Sequence, residues 1–225
     1  MTGNGDAGPH DGQQVETAGA PPAAATAAVV LCHGRGDSPT NFLRLADEFH
    51  HRGVVYLAPA PAGKAWFPGP FDASAESKEP WLSSALRLVD EAFALAADAG
   101  VPRDRVVLVG FSQGACVAAE YVASRPRRYG GLGALAGGLL GPDPEKNPYE
   151  GTIDDTPVFL GCGDADPHVT PERIRGSAAA FRALDGDVTA AVYEGLGHAI
   201  NDAEVDAVDG LVAGVADGEA TGNFC

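Results

Sequence analysis

The sequence predicts an α/β fold, a mostly parallel sheet with helices on both faces, and three observations carry that prediction. Short apolar runs recur between turn residues, amphipathic stripes of helical period fill the gaps, and one strand–turn–helix bears a serine at its apex. Apolar runs without polar alternation read as strands buried on both faces, and strands alternating with helices imply right-handed crossovers. At 225 residues the chain is long enough for one sizeable core and short for two.

Residues 1–25 are Gly, Ala, Pro, Asp and Gln with little apolar content, and are expected to be mostly flexible, although 13–17 could form a short edge strand. A single domain follows over 26–216, then a flexible tail over 217–225. Strands are expected at 27–32, 54–58, 105–109, 132–136, 157–161 and 188–193. Helical stripes lie between them: Phe42, Leu45, Ala46 and Phe49; then Leu82, Leu86, Val89, Phe93 and Ala96 after Pro80. Ile174, Ala178, Phe181 and Leu184 follow the cap and first-turn proline Thr170-Pro171, and Val205, Val208, Val212 and Val215 make the last stripe.

Charge narrows the function classes. Asp and Glu number 31 against 15 Lys and Arg, a net −16, and Lys64, Lys78 and Lys146 are the only lysines. Such a surface repels phosphate backbones and anionic membranes, so neither nucleic acid nor a membrane is expected as a partner. Abundant Asp with few Lys also suggests salt adaptation, in which screening relieves self-repulsion. No apolar run is long enough to span a bilayer and no secretory leader is apparent, so a cytoplasmic location is expected. Cys32, Cys116, Cys162 and Cys225 have neither disulfide-like nor zinc-like spacing, the first three falling in expected core elements; no metal site is expected.

The chemistry starts at Gly110-Phe111-Ser112-Gln113-Gly114. A serine on a sharp turn between strand and helix is lifted clear of the sheet, and the flanking glycines let the two elements approach. A hydroxyl needs a base to become a nucleophile, and the base needs a carboxylate to orient it. After the strand at 157–161 comes Gly163-Asp164-Ala165-Asp166-Pro167, offering two carboxylates; after the strand ending at Tyr193 comes Gly197-His198. The order Ser, Asp, His, each beyond a strand, is that of α/β-hydrolases. An anion site is expected from the backbone N–H groups of Arg35, in the turn His33-Gly34-Arg35-Gly36-Asp37, and of Gln113 at the start of the helix after Ser112.

These motifs resemble the phospholipase/carboxylesterase family of α/β-hydrolases, which includes acyl-protein thioesterases and small bacterial carboxylesterases. The resemblance spans about 29–215 and rests on His33–Asp37, Gly110–Ala115, Gly163–Pro167 and Gly197-His198. It implies the α/β-hydrolase fold without a large cap, selects Asp166 over Asp164 as the triad acid, and implies hydrolysis of carboxylic esters or thioesters with no cofactor. The thioesterase branch usually carries leucine where Arg35 stands. A guanidinium at the mouth would favour an acidic or polar substrate, whereas an outward one would leave only its backbone to matter.

The loop between the strand at 54–58 and the helix after Pro80 is long and aromatic, so Trp66, Phe67 and Phe71 are expected to wall a substrate pocket together with Leu139. Residues 137–156 leave no room for a large lid. The expected function is a serine carboxylesterase acting on small to medium, small-molecule esters, as monomer or homodimer. Its rivals are an acyl-protein or other thioesterase or lysophospholipase with the same machinery, and a catalytically silent hydrolase-fold binding module. The last would ordinarily have lost a triad member, and this chain keeps all three.

Overall fold

The computed structural model describes residues 7–146 and 149–217. A seven-stranded sheet runs through them: β1 (Val15–Gly19), β2 (Ala27–Cys32), β3 (Val54–Pro59), β4 (Val106–Phe111), β5 (Gly131–Leu135), β6 (Pro157–Gly163) and β7 (Asp187–Tyr193). Their spatial order is β1-β3-β2-β4-β5-β6-β7, with β1 antiparallel to β3 and every other pairing parallel. The α-helices among the described residues are α1 (Pro39–Phe42), α2 (Trp81–Asp98), α3 (Gln113–Ser124), α4 (Pro171–Ala183) and α5 (Asp202–Ala216).

Side chains alternate across the sheet, so β2 feeds two cores. Ala28, Val30 and Cys32 pack under α2 and α3; Ala27, Val29 and Leu31 face Phe42, Ala46 and Phe49 and the Val208–Val212–Val215 stripe of α5. The helix starts follow local chemistry. Thr170 caps α4 by accepting from the Arg173 N–H ahead of Pro171, and Asn201 with Glu204 forms a reciprocal capping box on α5. The stripe expected to make one helix over 42–49 is instead the four-residue α1 running into a tighter 3-10 turn over Leu43–Asp47.

Two expectations need correction. Residues 7–25 are not loose: β1 pairs along β3, and the His10 ring is buried at 1% exposure. The edge strand expected over 13–17 forms, as β1 at 15–19, and with one anchored ring it holds a segment whose composition otherwise reads as loose. Residues 1–6 and 218–225, with Cys225, lie outside the described residues. Likewise β7 is not buried on both faces. It is the outer strand, α4 covers one side, and Val192 on it is 41% exposed. Among the described residues no helix is long and apolar enough to cross a membrane.

Candidate active site

All the motif loops emerge at the carboxyl ends of parallel strands, where such sheets gather their functional groups. Ser112 follows β4 with φ 54° and ψ −119°, a left-handed conformation rare for a residue with a Cβ, and its N–H is held by the Leu135 carbonyl at 2.9 Å. The elbow depends on Gly114. A Cβ there would fall 2.0 Å from the Cys32 carbonyl oxygen, so only glycine lets α3 start this close to β2.

His198 bridges the cluster. Its Nε2 lies 2.8 Å from Ser112 Oγ and its Nδ1 2.7 Å from Asp166 Oδ2. The Asp166 side chain is fully covered, and its other oxygen accepts the N–H groups of His168 (2.7 Å) and Val169 (3.0 Å). Burial pushes this carboxyl up, but the bonds from His198, His168 and Val169 outweigh it and hold the group below the ordinary carboxylate range. It is therefore an anion facing the imidazole, which fixes a proton on Nδ1 and leaves Nε2 free to accept one from serine. Asp164 instead accepts the Gly195 N–H at 2.7 Å and ties the acid loop to the histidine loop.

The candidate anion site at Arg35 and Gln113 rests on peptide geometry. His33 Nδ1 is 2.7 Å from the Gly34 carbonyl oxygen, which the Asp37 N–H also approaches at 3.2 Å. Because C=O and N–H of one trans peptide point opposite ways, pinning the Gly34 carbonyl aims the Arg35 N–H in the other direction. The Ser112 carbonyl likewise accepts from Cys116 N–H inside α3, leaving the Gln113 N–H at the open helix end. Among the described residues neither the Arg35 nor the Gln113 amide has an acceptor. A Cβ at Gly34 would sit 3.5 Å from Ser112 Cβ, so this turn lies directly against the serine.

A cavity of about 540 Å³ opens over Ser112 and His198, with Phe67, Phe71, Val169 and Arg35 on its walls. Two of the expected pocket residues do not line it. Trp66 is fully buried, because its indole N–H, a donor only, turns inward to the His33 carbonyl at 2.8 Å. Leu139 sits in the core under α4, its N–H on Ser177 Oγ at 3.0 Å. Arg35 does not simply point away: Nη2 donates to the carbonyls of Phe67 (3.0 Å) and Gly69 (2.9 Å).

Several side-chain contacts of this neighbourhood carried no signal in the sequence. The Gln113 side chain bridges the elbow to the aromatic loop, accepting from Trp66 N–H (2.9 Å) and donating to the Phe67 carbonyl (2.8 Å). His10 braces the same loop. Ala62 N–H donates to its Nδ1 at 3.0 Å, so Nε2 carries the proton and donates to the Trp66 carbonyl at 2.8 Å. Burial pushes this imidazole below its ordinary value, which keeps it neutral. His168 packs edge-on against His198 with centroids 4.9 Å apart. Gln113 is expected from the sequence to matter through its backbone N–H, and a polar residue beside a serine elbow is the one cue to its side-chain role; His10 offers none.

Behind the Ser112–His198–Asp166 cluster, Glu204 is completely buried. Oε2 accepts the Asn201 N–H at 3.1 Å, while Oε1 has no partner among the described residues. Burial first, and the nearby Asp166 charge second, push its carboxyl up to about 7 against the Asn201 bond. Among the described residues no cluster of three or more His, Cys, Asp or Glu could hold a metal ion. Cys116, on the cavity floor, is a neutral thiol, raised by burial to about 11.

Fold and cluster together define an α/β-hydrolase, with an elbow serine and a histidine at the carboxyl edge of a mostly parallel sheet. The phospholipase/carboxylesterase family profile matches residues 13–213, and the chain belongs to that family. It is a hydrolase of ester or thioester bonds. A phospholipase/carboxylesterase from Dyadobacter fermentans superposes with a TM-score of 0.84 at 34% identity, over 89% of this chain and 96% of that one. Among curated proteins, acyl-protein thioesterase 1 of Emericella nidulans is 28% identical over 88% of this chain and 94% of its own length. That of Yarrowia lipolytica is 32% identical over 64% and 71%.

Proposed function

We propose that the chain is a serine carboxylesterase that hydrolyses small to medium carboxylic esters through an acyl-enzyme. The observation that carries this reading is the continuous line from Ser112 Oγ through His198 to Asp166, at 2.8 and 2.7 Å. As Oγ attacks the carbonyl carbon, His198 Nε2 takes its proton and the carbonyl π pair moves onto oxygen. The Arg35 and Gln113 amides receive that oxyanion. The tetrahedral adduct collapses, the C–O bond to the alcohol breaks, and the Nε2 proton goes to the leaving oxygen. Water then repeats the sequence on the acyl-serine: His198 takes the water proton, the carboxylic acid leaves, and Oγ recovers its proton. Asp166 holds Nδ1–H throughout and offsets the imidazolium charge.

The thioesterase reading has its own support. The two curated relatives named above are acyl-protein thioesterases, and over residues 137–146 and 149–156 the helical structure is a single 3-10 turn, Pro144–Lys146, so a carrier-borne acyl group could reach the serine. Hydrolysis of p-nitrophenyl esters from acetate to dodecanoate, with thioester analogues alongside, separates the two. A short-chain optimum lost in Ser112→Ala supports the carboxylesterase, and a preference for long thioesters replaces it with the acyl-protein branch. Repeating the series in dilute buffer and in molar salt tests the proposed salt adaptation, which predicts higher activity in salt. Folded protein that turns over nothing and takes up no fluorophosphonate at Ser112 would make it a silent binding module.

A further inference from the structure

Arg35 does more in this structure than present its amide. Arg35 lines the cavity, its guanidinium bonds the carbonyls of Phe67 and Gly69, which line it too, and among the described lining residues it is the sole arginine or lysine. The two carbonyls that hold Nη2 fix the guanidinium in place, but they are dipoles and leave its charge intact. Among the described residues no carboxylate forms an ion pair with it, and its Nε and Nη1 groups have no acceptor; Asp72, on the same cavity wall, does not pair with it either. In a chain with 31 acidic against 15 basic residues, a positioned cation left without a counter-charge stands out. A brace alone needs no charge, since a neutral amide donates to two carbonyls as well. A cation kept beside the reacting serine needs a further explanation.

We propose that Arg35 recognises an anionic group on the substrate, so that this hydrolase takes esters bearing a carboxylate near the scissile bond, bound through Nε or Nη1. The inference rests on the serine-hydrolase reading above and names the substrate class of that site. The acidic surface does not oppose it in the cavity, because charges farther than about 8 Å are largely screened at physiological ionic strength whereas a direct guanidinium–carboxylate contact is not.

The test compares kcat/KM, at one fixed ionic strength, within two pairs of esters that differ only in charge. Ethyl hydrogen succinate against ethyl succinamate carries the carboxylate on the acyl side; 4-acetoxybenzoate against 4-acetoxybenzamide carries it on the alcohol side. In the unmodified protein the anionic member of at least one pair should be favoured by about tenfold or more, the scale of a charge-assisted contact in a partly desolvated site. The ratio should fall to about one in Arg35→Gln, whose amide can still donate to a loop carbonyl, and should survive in part in Arg35→Lys. A purely structural Arg35 would lower both members of a pair together and leave the ratio unchanged.

A wild-type ratio at or below one in both pairs overturns the proposal, as does a preference that Arg35→Gln retains. If either occurs while the neutral esters are turned over and fluorophosphonate labels Ser112, the serine-hydrolase reading stands and Arg35 is a brace only. If folded protein neither hydrolyses any of the four esters nor takes the label, that reading fails and this one with it. Should Arg35→Gln not fold, the wild-type ratios and competition of benzoate against benzamide for hydrolysis of the neutral esters still decide. Stronger inhibition by benzoate supports the proposal, and equal inhibition overturns it.

Discussion

Glu204 makes a carboxyl group part of the protein interior behind the Ser112–His198–Asp166 cluster, and replacing it with glutamine should change how stability depends on pH. In the folded chain burial raises this carboxyl from its ordinary 4.5 to about 7. The unfolded chain therefore loses the proton above pH 4.5 while the folded chain keeps it. Between those two values the folded state binds more protons, so rising pH removes stability across that window and has no further effect above it. At about 1.4 kcal/mol per pH unit the loss amounts to about 3 kcal/mol. Glutamine copies the neutral acid: its carbonyl can accept the Asn201 N–H that Oε2 accepts now, and its amide occupies the place of Oε1, which has no partner to lose.

Urea unfolding of wild type and Glu204→Gln at intervals from pH 5 to 8 reads the effect. The stability difference should move in favour of the variant by about 2–3 kcal/mol across that range, or roughly 4–12 °C in Tm for a chain of this size. Taking the difference cancels the other titrating groups, including the buried His10 and His33, whose lowered values act in the opposite direction. A difference that stays constant with pH would refute the reasoning.

Three further outcomes follow from the same geometry. Asp166→Asn, which presents an amide to His198 Nδ1 and cannot offset the imidazolium, should lower kcat by about four orders of magnitude without unfolding the protein; a loss under tenfold in ester turnover would remove Asp166 from the mechanism. Gly114→Ala places a methyl on the Cys32 carbonyl and should cost roughly 3 kcal/mol or more, because backbone must move; near-native urea stability would contradict the close packing of α3 on β2. His10→Asn should cost about 1–2 kcal/mol through its two hydrogen bonds and raise KM through a looser aromatic loop. Its folded value lies below the ordinary 6.5, so its contribution is present above pH 6.5 and is lost as pH falls; the variant should show a shallower acid decline.

Much of the fold could be read from one dimension because its signals are local. Strands buried under helices appear as unbroken apolar runs, and α2, α4 and α5 announce themselves by stripes and caps. The loops carrying Ser112, Asp166 and His198 could be located because strand ends deliver them to one edge of the sheet, whatever lies between. What stayed hidden depends on groups distant in sequence. Nothing near residue 10 says that a histidine will sit between Ala62 and the Trp66 carbonyl, and nothing near 66 says which of two adjacent buried aromatics reaches the cavity. Trp66 stays behind it because its indole N–H needs the carbonyl of His33, whereas Phe67, equally buried, lines it. The openness of β7 could not be foreseen for a similar reason: its run of Val, Ala and Tyr looks like a central strand, and only the strand order makes it an edge.

The carbonyl of Phe67 accepts from the Gln113 side chain and from the Arg35 guanidinium at once. One oxygen atom thus knots together the turn before the anion pocket, the start of the helix beyond the serine, and the loop that walls the cavity. A substrate that lifts the wall must pull on both residues whose amides would hold the oxyanion. Poor fit in the cavity would then register as slower chemistry as well as weaker binding, so that selectivity is enforced at the reacting carbon by a piece of backbone that never touches it.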